Sequence, residues 1–243
     1  MCTAMWWRGD DGSFAVFFNR DESRLRPRSL PVRAAVSPEG VRFLAPRDPA
    51  GGGTWLMANE RGVVVGVLNH YAAQARCPPG RRSRGELPVR AAGAVDAAGA
   101  GAVLEAVRLA DFAPFLFVAW DAVSVRAWVW DGAELGAIEA LVPPLTTSSY
   151  RTAEVLAWRR ARFRERVPDP AAPGAREAMA ACQLDAAHPD GAFNIRMDRA
   201  DARTESVCRI SVGGGRVVYE HGRRADDTVA PLDRSVCELA LSR

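Results

Sequence analysis

Two apolar runs open the chain, at 2–7 and 14–18, with Gly9-Asp10-Asp11-Gly12-Ser13 between them. An Asp/Gly-rich gap between short apolar runs predicts a β-hairpin, so the first strand begins at the first residues. Residues 24–39 carry Pro27, Pro31 and Pro38 among arginines and read as a surface loop. A short strand is expected at Val41–Ala45, a tight turn at Gly51-Gly52-Gly53 and another strand at Thr54–Ala58. Val63–Leu68 is a continuous, β-branched apolar run, which suits a strand buried on both faces.

Ser83–Val95 and Ala97–Ala110 read as helices, although Pro88 and many alanines and glycines blur their limits. Strands return at Pro114–Trp120, Val123–Trp130 and Glu134–Val142, and 143–149 reads as a loop. Tyr150–Val167 is expected to be helical, capped by Ser148 or Ser149, with Val155, Trp158 and Phe163 as its buried stripe. A short helix near 174–182 follows, then a hairpin of Val207–Val212 and Arg216–Glu220 across Gly213-Gly214-Gly215. Internal repeats and long linkers are absent from the sequence, so one domain over 1–243 is expected. Strands, helices, strands, helices and strands in that order suit an α+β arrangement, with sheets packed on each other and helices outside.

Composition narrows the chemistry. The sequence is 48% hydrophobic and 25% charged, which excludes a wholly disordered chain. No apolar run reaches the roughly 18 residues needed to span a bilayer. The net charge of +3 is too small to imply a polyanionic partner such as nucleic acid. All 32 basic residues are arginines, so lysine-based catalysis is excluded. His70, His188 and His221 lie far apart and no cysteine pair is spaced as CxxC, which argues against a metal site. No cofactor is implied. Without a secretory leader, and with five cysteines, a reducing cytoplasm is expected. Arg159, Arg160, Arg162, Arg164 and Arg166 read as the solvated face of their helix. Most of the tryptophans read as core, with Trp55 the one expected to line a pocket.

Cys2 carries the sharpest chemical signal. A small side chain at position two permits removal of Met1, leaving a residue with both a thiol and a free α-amine. That amine has a reference pKa of about 7.7–8.0, suited to a general base at neutral pH. If the first two strands pair, Asn19-Arg20-Asp21-Glu22 returns to the start of the first. Arg20 would then hold the thiolate and lower its pKa, and Asp21 would accept from the α-ammonium.

Several motifs recur in order: the Met-Cys start, Asn-Arg-Asp-Glu at 19–22, Ala-Pro-Arg-Asp at 45–48, Gly-Gly-Thr-Trp at 52–55, Asn59-x-x-Gly62 and Ser-Arg-Gly at 83–85. Together they resemble the NRDE family. The same start, with Leu68-Asn69-His70-Tyr71, is similar to the choloylglycine hydrolase and penicillin acyltransferase group of N-terminal nucleophile (Ntn) hydrolases. The resemblance implies a four-layer αββα sandwich and attack by Cys2 on a small amide or thioester, ending in hydrolysis or acyl transfer. It implies Cys2 as nucleophile and base, Arg20 and Asp21 as its partners, Asn69 as oxyanion donor and Arg203 as a buttress. Thr147, in Thr146-Thr147-Ser148, stands where those hydrolases keep an asparagine as second oxyanion donor. His70 is either a contact for substrate, a metal or haem, or a partly exposed loop residue. The pocket arginines would suit a carboxylate-bearing substrate. The same family resemblance leaves a second reading, a haem- or lipid-binding transfer protein on the same fold. It also leaves homo-oligomerisation open.

Overall fold

The computed structural model describes residues 1–77, 80–224 and 233–242. The opening hairpin is present and longer than expected: β1 is Cys2–Arg8 and β2 is Phe14–Ser23. β3 (Leu30–Val36), β4 (Arg42–Arg47), β5 (Leu56–Asn59) and β6 (Val64–Asn69) follow as an antiparallel run. The expected loop at 24–39 therefore contains a strand. β3 lies at the sheet edge, where Pro31 removes no essential ladder bond.

After the four-residue α1 (Tyr71–Gln74), the two long helices expected at 83–110 shrink. They are α2 (Glu86–Arg90), α3 (Ala97–Gly101) and short 3-10 turns. Pro88 falls in the first turn of α2, where a missing N–H costs nothing. β7 (Phe115–Trp120), β8 (Val125–Trp130) and a three-residue β9 (Leu135–Ala137) extend the sheet. The loop expected at 143–149 holds β10 (Leu145–Thr147), which pairs with β1. α4 (Thr152–Arg166) and α5 (Ala175–Cys182) precede the strands β11 (Ala202–Gly213) and β12 (Arg216–Arg223). The last of these is followed by β13 (Asp233–Ala240), so the expected final hairpin is part of a three-stranded run. Neither Ser148 nor Ser149 caps α4; its N-cap is Arg151, in the left-handed region.

The strands form two sheets. One runs β10-β1-β2-β11-β12-β13 and the other β3-β4-β5-β6-β7-β8-β9. The apolar clusters show how they are layered. Trp6, Val16, Phe18 and Ile210 of the first sheet meet Leu56, Val64, Leu68 and Trp120 of the second in one buried cluster. The alternate residues of β6 and β7, Val65, Val67, Phe115 and Phe117, pack outward on Leu87, Ala97 and Ala100 of α2 and α3. Met5, Ala15 and Phe17 pack outward on Phe163, Met179 and Cys182 of α4 and α5. The result is an αββα stack. The first half of β2, Phe14–Phe18, and β6 are covered on both faces, which is why each reads as an apolar run.

Full burial of Phe18 between the sheets sets the expected cost of removing it. Phe18→Ala should lower the unfolding free energy by about 3–5 kcal/mol. Leu25→Ala, at a side chain 94% exposed, should change it by no more than about 0.5 kcal/mol. Denaturant unfolding of both variants checks the layering, and equal losses would contradict it.

Candidate active site

Pairing puts the start of the chain inside the sheet. Cys2 lies opposite Thr147 of β10 on one side and Arg20 of β2 on the other. Its N–H donates to the Thr147 hydroxyl at 3.2 Å. Met1 extends the ladder by one residue: its carbonyl accepts from the Asp21 N–H at 2.8 Å, and its ammonium donates to the Asp21 carbonyl at 2.9 Å. The ammonium also donates to the Tyr71 hydroxyl at 2.8 Å, which accepts from Asn69 Nδ2 at 2.8 Å as well. The Met1 side chain is buried with Met197, Ala202 and Tyr71. Met1 also lines the cavity that Cys2 faces.

Burial governs the thiol's ionisation. Burial pushes Cys2 up to about 11; the adjacent ammonium and Arg20 pull it down, while Asp21 and Glu22 push it up. Arg20 therefore acts in the expected direction, but desolvation wins. Burial likewise pushes Tyr71 up to about 12, against the bond from Asn69.

Arg20 shares the Cys2 face, since residues directly opposite in an antiparallel pair point the same way. Its guanidinium meets Glu22 at 2.9 Å, Glu205 at 3.2 Å and Asp48 at 3.3 Å, and lies over the Trp55 ring at 4.6 Å. Glu205 also accepts from the Ser29 N–H and hydroxyl. Asp48 is shared with Arg26 at 2.6 Å. Burial works against the Asp48 charge, but Arg20 and Arg26 hold its carboxyl below the usual range. Among the described residues Arg20 makes no hydrogen bond to the thiol and reaches it only through its field.

Asp21, one residue on, points to the opposite face, toward α4. Its Oδ1 accepts from the Thr204 hydroxyl at 2.6 Å, and its Oδ2 lies 3.7 Å from Arg159. Both side chains are fully buried. Arg159 also donates to the hydroxyls of Thr3 and Thr146 and to the carbonyls of Ala192 and Phe193. This corrects two expectations. Arg159 belongs to the interior rather than to a solvated face, and it takes the inward position expected for Trp158, which is 37% exposed. Asp21 meets the ammonium with its main-chain oxygen, while its carboxylate serves Thr204 and Arg159.

A cavity of about 510 Å³ opens over the Cys2 face. Its walls include Cys2, Arg20, Trp55, Asn69 and the Arg81–Arg84 segment. Two motifs meet to build it. A Cβ on Gly53 would come within 2.3 Å of the Gly85 backbone, and the Thr54 N–H donates to the Gly85 carbonyl at 3.0 Å. Only glycine at position 53 lets Gly-Gly-Thr-Trp lie directly against Ser-Arg-Gly. The Gly51–Gly53 segment is also a turn: Gly52 has φ +73, and its N–H donates to the Asp48 carbonyl at 2.8 Å. That turn sets Asp48 beside Arg20.

The structure thus gathers Cys2, Arg20, Asp21, Trp55 and Asn69 around one cavity. Thr147 touches Cys2 through the main chain and does not line the cavity. His70 is half-buried, its N–H bonded to the Pro114 carbonyl, and is also outside the lining. Burial holds its pKa below the usual histidine value. Arg203 is half-buried opposite Glu22, and the groups that meet the Asp21 carboxylate are its neighbour Thr204 and Arg159. Sequence reasoning gave no role to Tyr71, Arg84, Glu205 or Arg159. Tyr71 and Arg84 lie in quoted motifs and Glu205 two residues beyond Arg203, which was their only signal; Arg159 had none. Among the described residues no cluster of side chains could hold a metal ion, and no helix is long and apolar enough to cross a membrane.

Comparison with known proteins agrees with this architecture. A family model described as Transport and Golgi organisation 2 matches residues 1–148. A search of curated proteins finds no match. Among solved structures, a mutant of the conjugated bile acid hydrolase of Clostridium perfringens is similar, with a TM-score of 0.55 at 13% identity. The alignment covers 99% of this chain and 92% of that one. A second variant of that hydrolase gives 0.55 at 11% identity, over 98% and 92% of the two chains. A Caenorhabditis elegans ortholog of N-acylethanolamine-hydrolyzing acid amidase gives 0.54 at 8%, over 86% and 92%. At such identities the likeness shows the fold, the four-layer αββα sandwich of Ntn hydrolases.

Two outcomes follow from the geometry. In a chain that keeps Met1, alkylation of Cys2 by iodoacetamide should accelerate with pH up to about 11, followed by peptide mapping. A plateau reached below the ordinary thiol value of 9.0 would contradict the burial argument. The unfolded chain releases this proton first, so the thiol's contribution to stability falls as pH rises from 9.0 to about 11. Arg159→Met should cost about 3–5 kcal/mol by stranding the buried Asp21 charge, and adding Asp21→Asn should recover part of that loss. Strictly additive losses in denaturant unfolding would exclude the coupling.

Proposed function

Because the chain belongs to the Transport and Golgi organisation 2 family, we propose that it is an N-terminal-cysteine amidohydrolase or acyltransferase acting on a small amide or thioester. One observation carries the proposal: the second residue is a thiol fixed between two strands, facing a cavity, with the Thr147 hydroxyl on its main-chain nitrogen. The reading takes Cys2 as the first residue of the working enzyme. Removal of Met1 turns the Cys2 amide nitrogen into an amine and opens the space that Met1 fills. The Thr147 hydroxyl, which already accepts the Cys2 N–H, would hold that amine in place.

In this reading the amine takes the thiol proton as sulfur attacks the substrate carbonyl. A C–S bond forms and the carbonyl oxygen becomes an oxyanion, with Asn69 as its donor. Collapse breaks the C–N or C–S bond of the substrate, and the leaving group departs with the proton held by the amine. Water or an amine then attacks the acyl-cysteine and restores the thiol. Arg20 supplies positive field at the sulfur, and its three carboxylates keep its plane fixed on Trp55. A cytoplasmic setting fits a free thiol at this position. The alternative of a haem or lipid carrier is less well supported, because arginines and carboxylates dominate the cavity wall and His70 lies outside it.

An activated acyl donor, p-nitrophenyl acetate, should leave one acetyl group on Cys2 of the Met1-free chain, read by intact mass and peptide mapping. Cys2→Ala should abolish turnover. Asn69→Ala should lower kcat by about 10²–10³-fold, the loss typical of one oxyanion donor. Undiminished turnover by Cys2→Ala would overturn the proposal.

A further inference from the structure

The wall of the cavity carries a partly buried cation without an ion pair. Arg84 sits in the Ser-Arg-Gly segment and lines the cavity. Its Nη1 donates to Gln74 Oε1 at 3.1 Å and to the Pro114 carbonyl at 3.0 Å, both neutral acceptors. Among the described residues no carboxylate lies within ion-pair distance of it. The other cavity arginines differ: Arg20 meets three carboxylates, Arg26 meets Glu22 and Asp48, and Arg82 meets Glu86. Arg81, the remaining one, is exposed.

Position and chemistry narrow the missing partner. Arg84 is close enough to Tyr71, Cys2 and, beyond ion-pair distance, Glu22 for each to act on its charge. Burial works against that charge, so a site that keeps it gains from a bound anion. The neutral acceptors use Nη1 alone and fix the plane of the guanidinium. The Nε–Nη2 edge remains, and two parallel N–H groups match a carboxylate in bidentate geometry. A single guanidinium balances one negative charge, as a carboxylate supplies. The backbone contact of Gly53 with Gly85 holds the segment, so the cation is preorganised rather than carried on a free loop.

We propose that Arg84 is the specificity-determining residue of this cavity, and that it selects acyl amides or thioesters bearing a carboxylate on the part of the molecule away from the scissile bond. This rests on the reading of Cys2 as nucleophile for the word substrate, but not for the binding of the carboxylate.

The test uses that independence. Benzoate and benzamide, equal in shape and differing in charge, are titrated into the full-length Cys2→Ala chain, with ligand-observed NMR as readout. Benzoate should bind at least about tenfold more tightly than benzamide, as expected for a charge-assisted pair. Arg84→Gln on the same background should remove that preference, and Arg84→Lys should keep part of it. Equal binding of the two probes by the Arg84 chain would overturn the proposal even if Arg84→Gln failed to fold. A preference for benzoate that survives in folded Arg84→Gln would also overturn it. Acetylation of Cys2 by p-nitrophenyl acetate, measured in parallel on the Met1-free chain, reports the nucleophile separately. Failed acetylation with charge-selective binding would sink the enzyme reading and leave the anion site standing.

Discussion

The site depends on one constraint of topology: the first strand is paired on both sides from its first residue. A chain end is normally free to fray. Here β10 and β2 hold Cys2 by register, and Asp21 holds even Met1 through two main-chain bonds. The terminus is therefore as rigid as the middle of a sheet. Rigidity at that point gives a thiol a fixed direction into the cavity without a helix or loop to carry it. The same pairing places Arg20 and Asp21 at the terminus by strand register alone, one on each face.

The two faces solve different electrostatic problems. Toward α4, Asp21 and Arg159 are a fully buried pair surrounded by hydroxyls and carbonyls. Such a pair contributes little net stability but penalises its own disruption, so it fixes the packing of α4 on the sheet. Toward the cavity, Arg20 and Arg26 form a network with three carboxylates, Glu22, Asp48 and Glu205, one negative charge in excess. The Cys2 thiol sits beside this network and feels burial more strongly than any single neighbour. Arg84 lines the same cavity, bonded to neutral acceptors only, and is near enough to Cys2 and Glu22 for their charges to act on it.

Much of this was legible in the sequence, and the losses have physical causes. β2 and β6 announced themselves because burial on both faces leaves no polar alternation to confuse. β3 and β10 were hidden by proline: Pro31 lies inside an edge strand, and Pro143-Pro144 stands just before a three-residue one. The α4 stripe was misassigned because hydrophobicity favours Trp158, whereas the interior needed a cation for Asp21. No apolar pattern can report a buried charge pair whose partner lies 138 positions away by sequence number, 159 minus 21. Within the site, Cys2, Arg20, Asp21, Trp55 and Asn69 were found by motif. Tyr71 and Arg84 stood in the same motifs, but their parts emerge only when Leu68–Tyr71 and Ser83–Gly85 close on one cavity.

The central claim is that the chain becomes chemically active when its first residue is removed. The direct measurement takes one purified preparation that retains Met1, divides it, and treats half with a methionine aminopeptidase. Intact mass then reports the terminus, and acetylation by p-nitrophenyl acetate reports the thiol in both halves at neutral pH. The account predicts rapid, single acetylation of Cys2 in the trimmed half and little in the untrimmed half. Equal acetylation rates in the two halves would contradict it.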